Sequence, residues 1–528
     1  MNRCTLIATS IAGVLSAVLF AGCKAGNDTP PAKAFDSNSY TSRTKDAREA
    51  ELADVKVLTL EKAQQIACKN NVSYIAAYHA VVAAKMRYYQ SLGAYAPSLS
   101  ANFAIQNAHV NTSSQHNYSS GDNVQSFTTS SGMNASWLVF NGLVRYMETQ
   151  MAKHNWNYQA QIEYDTRRQL LQAVAYAYSD ILLAIETKRI AERDMNFQLF
   201  NLNDTNIKFD SGYVGKSDVL NFQIKVNSAI GNQIAAQYQY EVAVYALANL
   251  MGYPEGTLPE NIEFAQIGNI VEDHLQSVDS YLNSALNNRP DLKAYRELVK
   301  VAQYKVYAAR GAFSPVITAT SSIAFNTNNN RGDLGDYHSN RYNQMPFNYG
   351  LNANWLIFDG LARYNTLREA KSLLLQSQYN AANAWLAVVQ DVRSALSNYK
   401  QSVKQAEIYK ATLDLVAEQR DLVEVEFRAG SVELPRLNEA QRDLVQAETD
   451  FVSSLVNVIK AKAQLEAATY SDLTGMPLAG VNGPEPISDA VADAPPSGTE
   501  SNNNPDSSDD VVVQDEPAGE ATVTPDAL

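Results

Sequence analysis

The chain carries little with which to do covalent chemistry. It has three cysteines in 528 residues, and Cys4 and Cys23 fall within or beside an apolar N-terminal stretch, so no internal disulfide framework can be drawn. Cys68 is left alone in the body, in the setting QQIACKNN of a small core residue on a helix. The histidines His79, His109, His116, His154, His274 and His338 are scattered without metal-ligand spacing, no nucleophile elbow occurs, and no glycine-rich loop follows a strand. These absences argue against an enzyme, a metal site or a bound cofactor. Positive charge is scarce too. The formal net charge of -14 argues against affinity for nucleic acid, and residues 476 to 528 hold no Lys or Arg but eleven acids from Glu485 to Asp526. Such a segment cannot bury enough apolar surface to offset its ordering entropy, so 477–528 is expected to be a disordered acidic tail. Without it the body is close to neutral (-14 plus 11 leaves -3).

The N-terminus has one Arg, an apolar run from Leu6 to Phe20 that is short for a spanning helix, and a small-residue exit at Ala21 and Gly22. Residues 1–22 therefore read as a secretory signal. Cys23, directly after FAG, resembles the lipobox of bacterial lipoproteins, which implies that Cys23 is lipidated and becomes the mature N-terminus. Lys24, in place of Asp, resembles lipoproteins passed on to the outer membrane. Residues 23–56 are then a lipid-anchored linker.

What the body does contain is a repetition. SWLVFNGLVRY at 136–146 returns as NWLIFDGLARY at 354–364, so that Trp137, Phe140 and Gly142 recur as Trp355, Phe358 and Gly360, 218 positions on (355 minus 137). Gly93 and Pro97 recur at the same spacing as Gly311 and Pro315, and Phe209 and Gly212 as Phe427 and Gly430. The chain thus reads as two copies of one unit, 57–253 and 275–476, joined by a linker at 254–274. In each copy a helical stretch stops at Gly and Pro, and alternation follows: about 98–110 and 124–140 in the first copy, about 316–327 and 347–358 in the second. Period two over about ten residues, apolar on one face and polar on the other, is the signature of a transmembrane β-strand. After FNG or FDG the period becomes helical over 143–210 and 361–429, with return helices at 217–250 and 436–473. A helix of that length runs on the order of 100 Å. Its apolar residues Trp385, Val389, Val392, Leu396, Tyr399, Val403 and Ala406 step by four and three, the seam of a coiled coil.

Four strands cannot close a barrel in a membrane that penalises every open edge. Two chains would give a barrel filled by its own side chains, so a conduit requires three chains and about twelve strands. The fold class expected is an α+β membrane protein: two tandem repeats, four transmembrane strands per chain contributing to a trimeric twelve-stranded β-barrel, and a long α-helical coiled coil.

The motifs LTLEKAQQIACKNN, GAYAPSLS, WLVFNG, WLIFDG, FDSGYVGKSDVLNFQ, NNRPDLKAY, LMGYP and LTGMP, in that doubled order from Leu58 to about Pro477, resemble the TolC-like outer-membrane efflux family. The resemblance implies a homotrimer in outer-membrane lipid, with a helical tunnel extending into the periplasm. It further implies an exit duct for small molecules such as drugs, toxic compounds or metal ions, served by an inner-membrane transporter and a periplasmic adaptor protein. It places adaptor docking at the helix turns, on Val214, Gly215, Lys216, Ser217 and Asp218 and on Gly430, Ser431 and Val432. Ser217 also suits an N-cap there, with Asp218 on the positive helix end. Where relatives carry gate carboxylates this chain has Arg436 and Glu439, expected to pair among protomers and keep the tip closed. Trp137, Phe140, Gly142, Trp355, Phe358 and Gly360 mark the junctions of barrel and helix. Two other readings are a duct for type I protein secretion and a non-conducting structural lipoprotein, which would have no need of alternating strands.

Overall fold

The computed structural model describes residues 56–112, 122–253, 255–259, 262–267, 275–332 and 340–470. The expected signal, Cys23 and the tail 477–528 lie outside the described residues. The first copy runs β1 (Val57–Leu58), α1 (Leu60–Asn70), α2 (Val72–Gly93), β2 (Ser98–Thr112), β3 (Asp122–Phe140), α3 (Val144–Asp210) and α4 (Lys216–Leu250). After β4 (Glu263–Phe264), which pairs in parallel with β1, come α5 (Val278–Asn288), α6 (Pro290–Gly311), β5 (Val316–Gly332), β6 (Asn340–Gln344), β7 (Phe347–Asn354), α7 (Ala362–Arg428) and α8 (Leu434–Thr469). Among the described residues no helix is long and apolar enough to cross a membrane.

The sheet is antiparallel in the order β2-β3-β5, with β6 and β7 both on the far side of β5. Its alternation separates two surfaces. Leu99 and Phe103, both 69% exposed, form one row on β2, while on the other face Asn134 donates to Asn102 at 3.1 Å and Asn352 to Thr320 at 3.3 Å. The return run of the second copy departs from the expected 347–358 in two ways. It gains β6, separated from β7 by Met345 and Pro346, since proline has no N–H for the ladder. It also ends at Asn354, whose partner Val316 is the first residue of β5, so Trp355–Phe358 find no strand alongside.

Short helices lock the ends of the long ones. The first core gathers Leu58, Ala63 and Ile66 against Val174, Tyr178 and Ile181 of α3 and Leu247 of α4, with the Tyr178 hydroxyl donating to Leu58 O at 2.8 Å. The second gathers Tyr281 and Ala285 against Val388, Val392, Leu396 and Tyr399 of α7 and Leu465 of α8. Trp385, expected at the top of that seam, is 44% exposed, and among the described residues it is outside the buried core. The carbonyls left over at the return-helix ends are capped by side chains from equivalent positions. Asn71 Nδ2 donates to Leu250 O at 3.0 Å, and Arg289 Nη1 to Ala468 O at 3.3 Å. Arg289 is buried and its charge is balanced by Asp291 and Asp391.

The two copies are tied together by α3, which packs on α6 and α8. His154 on α3 meets Glu297 on α6 at 2.6 Å and stacks on Tyr304, and Lys300 reaches the other Glu297 oxygen at 2.7 Å. Burial alone would raise the Glu297 pKa, but the hydrogen bonds from His154 and Lys300 outweigh it and bring the group down to about 2. Deeper in α3, Glu163 is 1% exposed beside Arg167, Tyr74 and Cys68, and burial pushes the Cys68 thiol pKa up.

Candidate functional site

The two helix turns that the sequence singles out have one geometry. At the first, Gly212 takes φ +80, its N–H donates to Phe209 O at 2.9 Å and the Tyr213 N–H to Lys208 O at 2.9 Å. At the second, Gly430 takes φ +78, its N–H donates to Phe427 O at 3.0 Å and the Ser431 N–H to Glu426 O at 2.9 Å. This is the Schellman ending of a helix, in which a left-handed residue turns the chain so that two leftover carbonyls are satisfied, and glycine adopts that conformation without a Cβ penalty. Nothing lies within 4 Å of where a Cβ on Gly212 or Gly430 would stand, so both turns are open to the outside.

The restart of each helix differs from expectation in one detail. Gly215, extended at φ -81 and ψ 159, is the N-cap of α4, and helix begins at Lys216. Ser217 and Asp218 therefore sit in the first turn, with the Asp218 N–H donating to Gly215 O at 3.1 Å, so Ser217 is not the N-cap. Glycine caps adequately because its bare backbone leaves the first N–H groups to solvent, and Asp218 still meets the positive end of the helix. In the second turn Glu433 is the N-cap, and Val432 packs near Leu437, Val423 and Ala440 as a hydrophobic staple.

The fold brings both turns to one place. Lys208, near the end of α3, lies 5.6 Å from the Phe427 ring near the end of α7, and Phe197 and Phe427 share a cluster with Val423 and Leu437. Val214 and Val432 are half-buried, while Gly215, Lys216, Ser217, Gly430 and Ser431 are exposed. The residue the sequence reading passed over is Tyr213, 85% exposed directly after the left-handed glycine. Its position, fixed by the Schellman bonds, is the signal that could have found it.

Arg436 and Glu439 are both on α8. Arg436 Nη1 meets Glu439 Oε2 at 2.8 Å across one helical turn, with the side chains 47% and 49% exposed. Within the protomer they hold each other. Behind the tip, Asp194 accepts from Gln198 at 3.3 Å and from Gln441 at 3.0 Å, and Gln198, Asn201, Thr205 and Gln441 are buried. A polar layer in a coiled-coil seam sets register at a cost in stability.

The junction residues lie at the opposite ends of α3 and α7. Trp137 Nε1 donates to Tyr95 O, and Trp355 Nε1 to Phe313 O, both at 3.0 Å. Arg145 stacks over Tyr95 at 4.3 Å and Arg363 over Phe313 at 5.2 Å. Phe140 closes β3 opposite Ile317, whereas its counterpart Phe358 is 73% exposed in the unpaired stretch. Gly142 and Gly360 both have positive φ, +69 and +68, but their surroundings differ. A Cβ on Gly142 would stand 2.1 Å from Gly311 O, whereas Gly360, and Gly93, the counterpart of Gly311, have nothing within 4 Å.

A family model described as outer membrane efflux protein matches residues 63–253 and 281–469. Outer membrane protein TolC of Escherichia coli (strain K12) is 22% identical over 327 residues, 60% of this chain and 65% of that protein. Alkaline protease secretion protein AprF of Pseudomonas aeruginosa is 27% identical over 303 residues, 56% of this chain and 58% of that protein. The chain thus spans less than two thirds of the length of these relatives. Its fold is similar to the crystal structure of the Campylobacter jejuni CmeC outer membrane channel, with a TM-score of 0.66 at 18% identity, over 78% of this chain and 85% of that one.

Proposed function

This chain belongs to the outer membrane efflux protein family, and we propose that it is the outer-membrane channel of a tripartite efflux system. In this reading a homotrimer passes small molecules from an inner-membrane pump and a periplasmic adaptor to the exterior. The observation that carries the assembly is the unmatched joint. Inside the chain, β3 of the first copy pairs with β5 of the second, Gly142 fits against Gly311, and α3 packs on α6 and α8. The equivalent joint would unite β7 with β2, Gly360 with Gly93, and α7 with α2 and α4, and in one chain all these surfaces are open. A neighbouring protomer supplies them. The register follows from the interior joint: Trp137 faces Ala319 and Phe140 faces Ile317, so shifting by 218 sets Trp355 opposite Ala101 and Phe358 opposite Leu99 of the next chain. Three chains of two copies close a barrel of twelve strands with a lumen, lined by the polar face of the sheet.

The two tip turns are the adaptor-docking surface in this reading, with Tyr213 as an aromatic anchor held by a rigid turn among small residues. Arg436 and Glu439 form the periplasmic gate by exchanging their pairing between protomers. Cys23 carries the lipid anchor. A second reading, the duct of a type I protein secretion system, is favoured by the likeness to a relative named for alkaline protease secretion. One experiment tests both: drug, dye and metal susceptibility of a strain lacking the gene, beside one carrying Gly215→Arg. At φ -81, with the Ser217 hydroxyl 3.3 Å and the Ser217 N 4.0 Å from its Cβ position, this variant should fold and assemble. Equal sensitisation of both strains supports efflux and the docking site. Normal susceptibility with loss of a secreted protein from the medium supports secretion.

A further inference from the structure

Although the chain has 56 acidic residues, it has none from Val72 to Gly121 and none from Leu298 to Gly332. These two stretches are α2 with β2 and most of α6 with β5, the segments that lead from helix into sheet. They still carry cations: Lys85 and Arg87 on α2, Lys300, Lys305 and Arg310 on α6. Lys300 is held by Glu297. Arg87, Lys305 and Arg310 are exposed, and none pairs with a carboxylate among the described residues.

Their placement is regular. Arg87 stands six residues before Gly93 and Lys305 six before Gly311, one repeat apart (305 minus 87 is 218). At 1.5 Å per residue each cation lies about 9 Å along its helix from the end that leads into the sheet. A few residues further on, the exposed apolar row of the sheet begins with Leu99. Within the chain α6 already has both long helices against it, α3 on one side and α7 on the other, so Lys305 stays exposed with its neighbours in place. The repeat gives Arg87 the same surroundings once α7 of another protomer covers α2.

We propose that the sheet-proximal halves of α2 and α6 form a basic collar that binds the anionic headgroups of phospholipids in the periplasmic leaflet. The proposal rests on the outer-membrane channel reading, which puts the apolar row in lipid and the helices below it. Charge decides the partner. A bilayer surface attracts cations within about one Debye length, roughly 10 Å at 0.1 M salt, and these parts of α2 and α6 carry no acid of their own to offset that attraction; the acids at this height, Glu148 and Glu369, are on α3 and α7. An attraction of this kind is worth about fivefold in affinity per cation at low salt.

The test uses the full chain reconstituted into phosphatidylcholine vesicles containing a trace of spin-labelled phosphatidylglycerol or spin-labelled phosphatidylcholine. Incorporation is checked first by flotation. The expected result at low salt is a preference for phosphatidylglycerol at the protein boundary of about threefold or more, falling toward unity in about 0.5 M salt. Arg87→Glu with Lys305→Glu should abolish it, while Lys188→Glu on α3 leaves it intact. Equal association of the two lipids with the inserted wild type overturns the collar alone, and so does a preference that survives the double reversal or high salt. A chain that never floats with vesicles overturns the channel reading and the collar with it.

Discussion

Helices α3 and α7 have the same length, 67 residues, and each follows a leucine in the left-handed region, yet only α3 is surrounded. It packs on α1, α2 and α4 of its own copy and on α6 and α8 of the other, whereas among the described residues α7 packs on α5, α6 and α8. The deficit appears as apolar side chains in water. On α7, Leu375, Tyr379, Leu386, Leu415 and Leu422 are more than half exposed, and Leu220, Ile224, Ile234 and Tyr238 of α4 match them at heptad spacing. The same joint has thus been made once inside the chain and left open once at its edges. In the proposed trimer the neighbouring protomer covers these stripes.

The sharpest way to break the comparison is at its glycines. Gly142→Ala combines a left-handed backbone with a Cβ 2.1 Å from Gly311 O, and should destabilise the folded chain by about 3 kcal/mol or more. Gly360→Ala has the same backbone strain but open space, and should cost about 1 kcal/mol in the isolated protomer. Chemical denaturation in detergent measures both, and equal losses would remove the distinction between the joints. Next in size is assembly. Gly93→Leu adds a side chain where the protomer has nothing within 4 Å and where the backbone is helical. The protomer should keep or slightly gain stability, while the oligomer mass in mild detergent falls to that of one chain; an unchanged mass rejects the proposed contact with Gly360.

The interior joint has polar contacts that the open one lacks; at one of them His154 and Glu297 correspond to Ser372 and His79. Glu297→Gln should cost about 2 kcal/mol. Because the folded pKa of about 2 lies below the ordinary 4.5, the lost stability is fully present above pH 4.5 and disappears as pH falls toward 2. Unfolding of variant and wild type across pH 2 to 7 checks that sign. Smallest is Arg436→Ala, which removes an exposed pair within one helix and should change stability by less than about 0.5 kcal/mol. If Arg436 gates the tip, single-channel conductance nevertheless rises. Unchanged conductance would leave the pair as a surface feature of α8.

The parts of the fold that show in the sequence are those with local causes. Gly212 and Gly430 stand out because a left-handed turn needs glycine, and the alternation of Leu99 and Phe103 with Asn102 shows because a strand has two faces. Other features left no such mark. Asn71 and Arg289 do one job with different chemistry, so no motif comparison pairs them. Glu163 and Arg167 occupy positions where the second copy has Ala381 and Trp385, and the helical period does not distinguish a buried carboxylate from a solvated one. Tyr213 has no periodic neighbours to announce it, and Ser217 reads as a cap until the helix is seen to begin at Lys216.

The sequence by itself determined the doubling, the places where helix gives way to strand and the residues on which each turn depends. Each of these follows from steric and hydrogen-bonding demands felt within a few positions of chain. Only the tertiary structure decided which copy of a surface is covered. Gly142 touches Gly311 while Gly360 and Gly93 face empty space, although the four sit in two nearly identical phrases. Burial is a property of distant segments meeting, and this chain meets itself on one side only and leaves the matching side open.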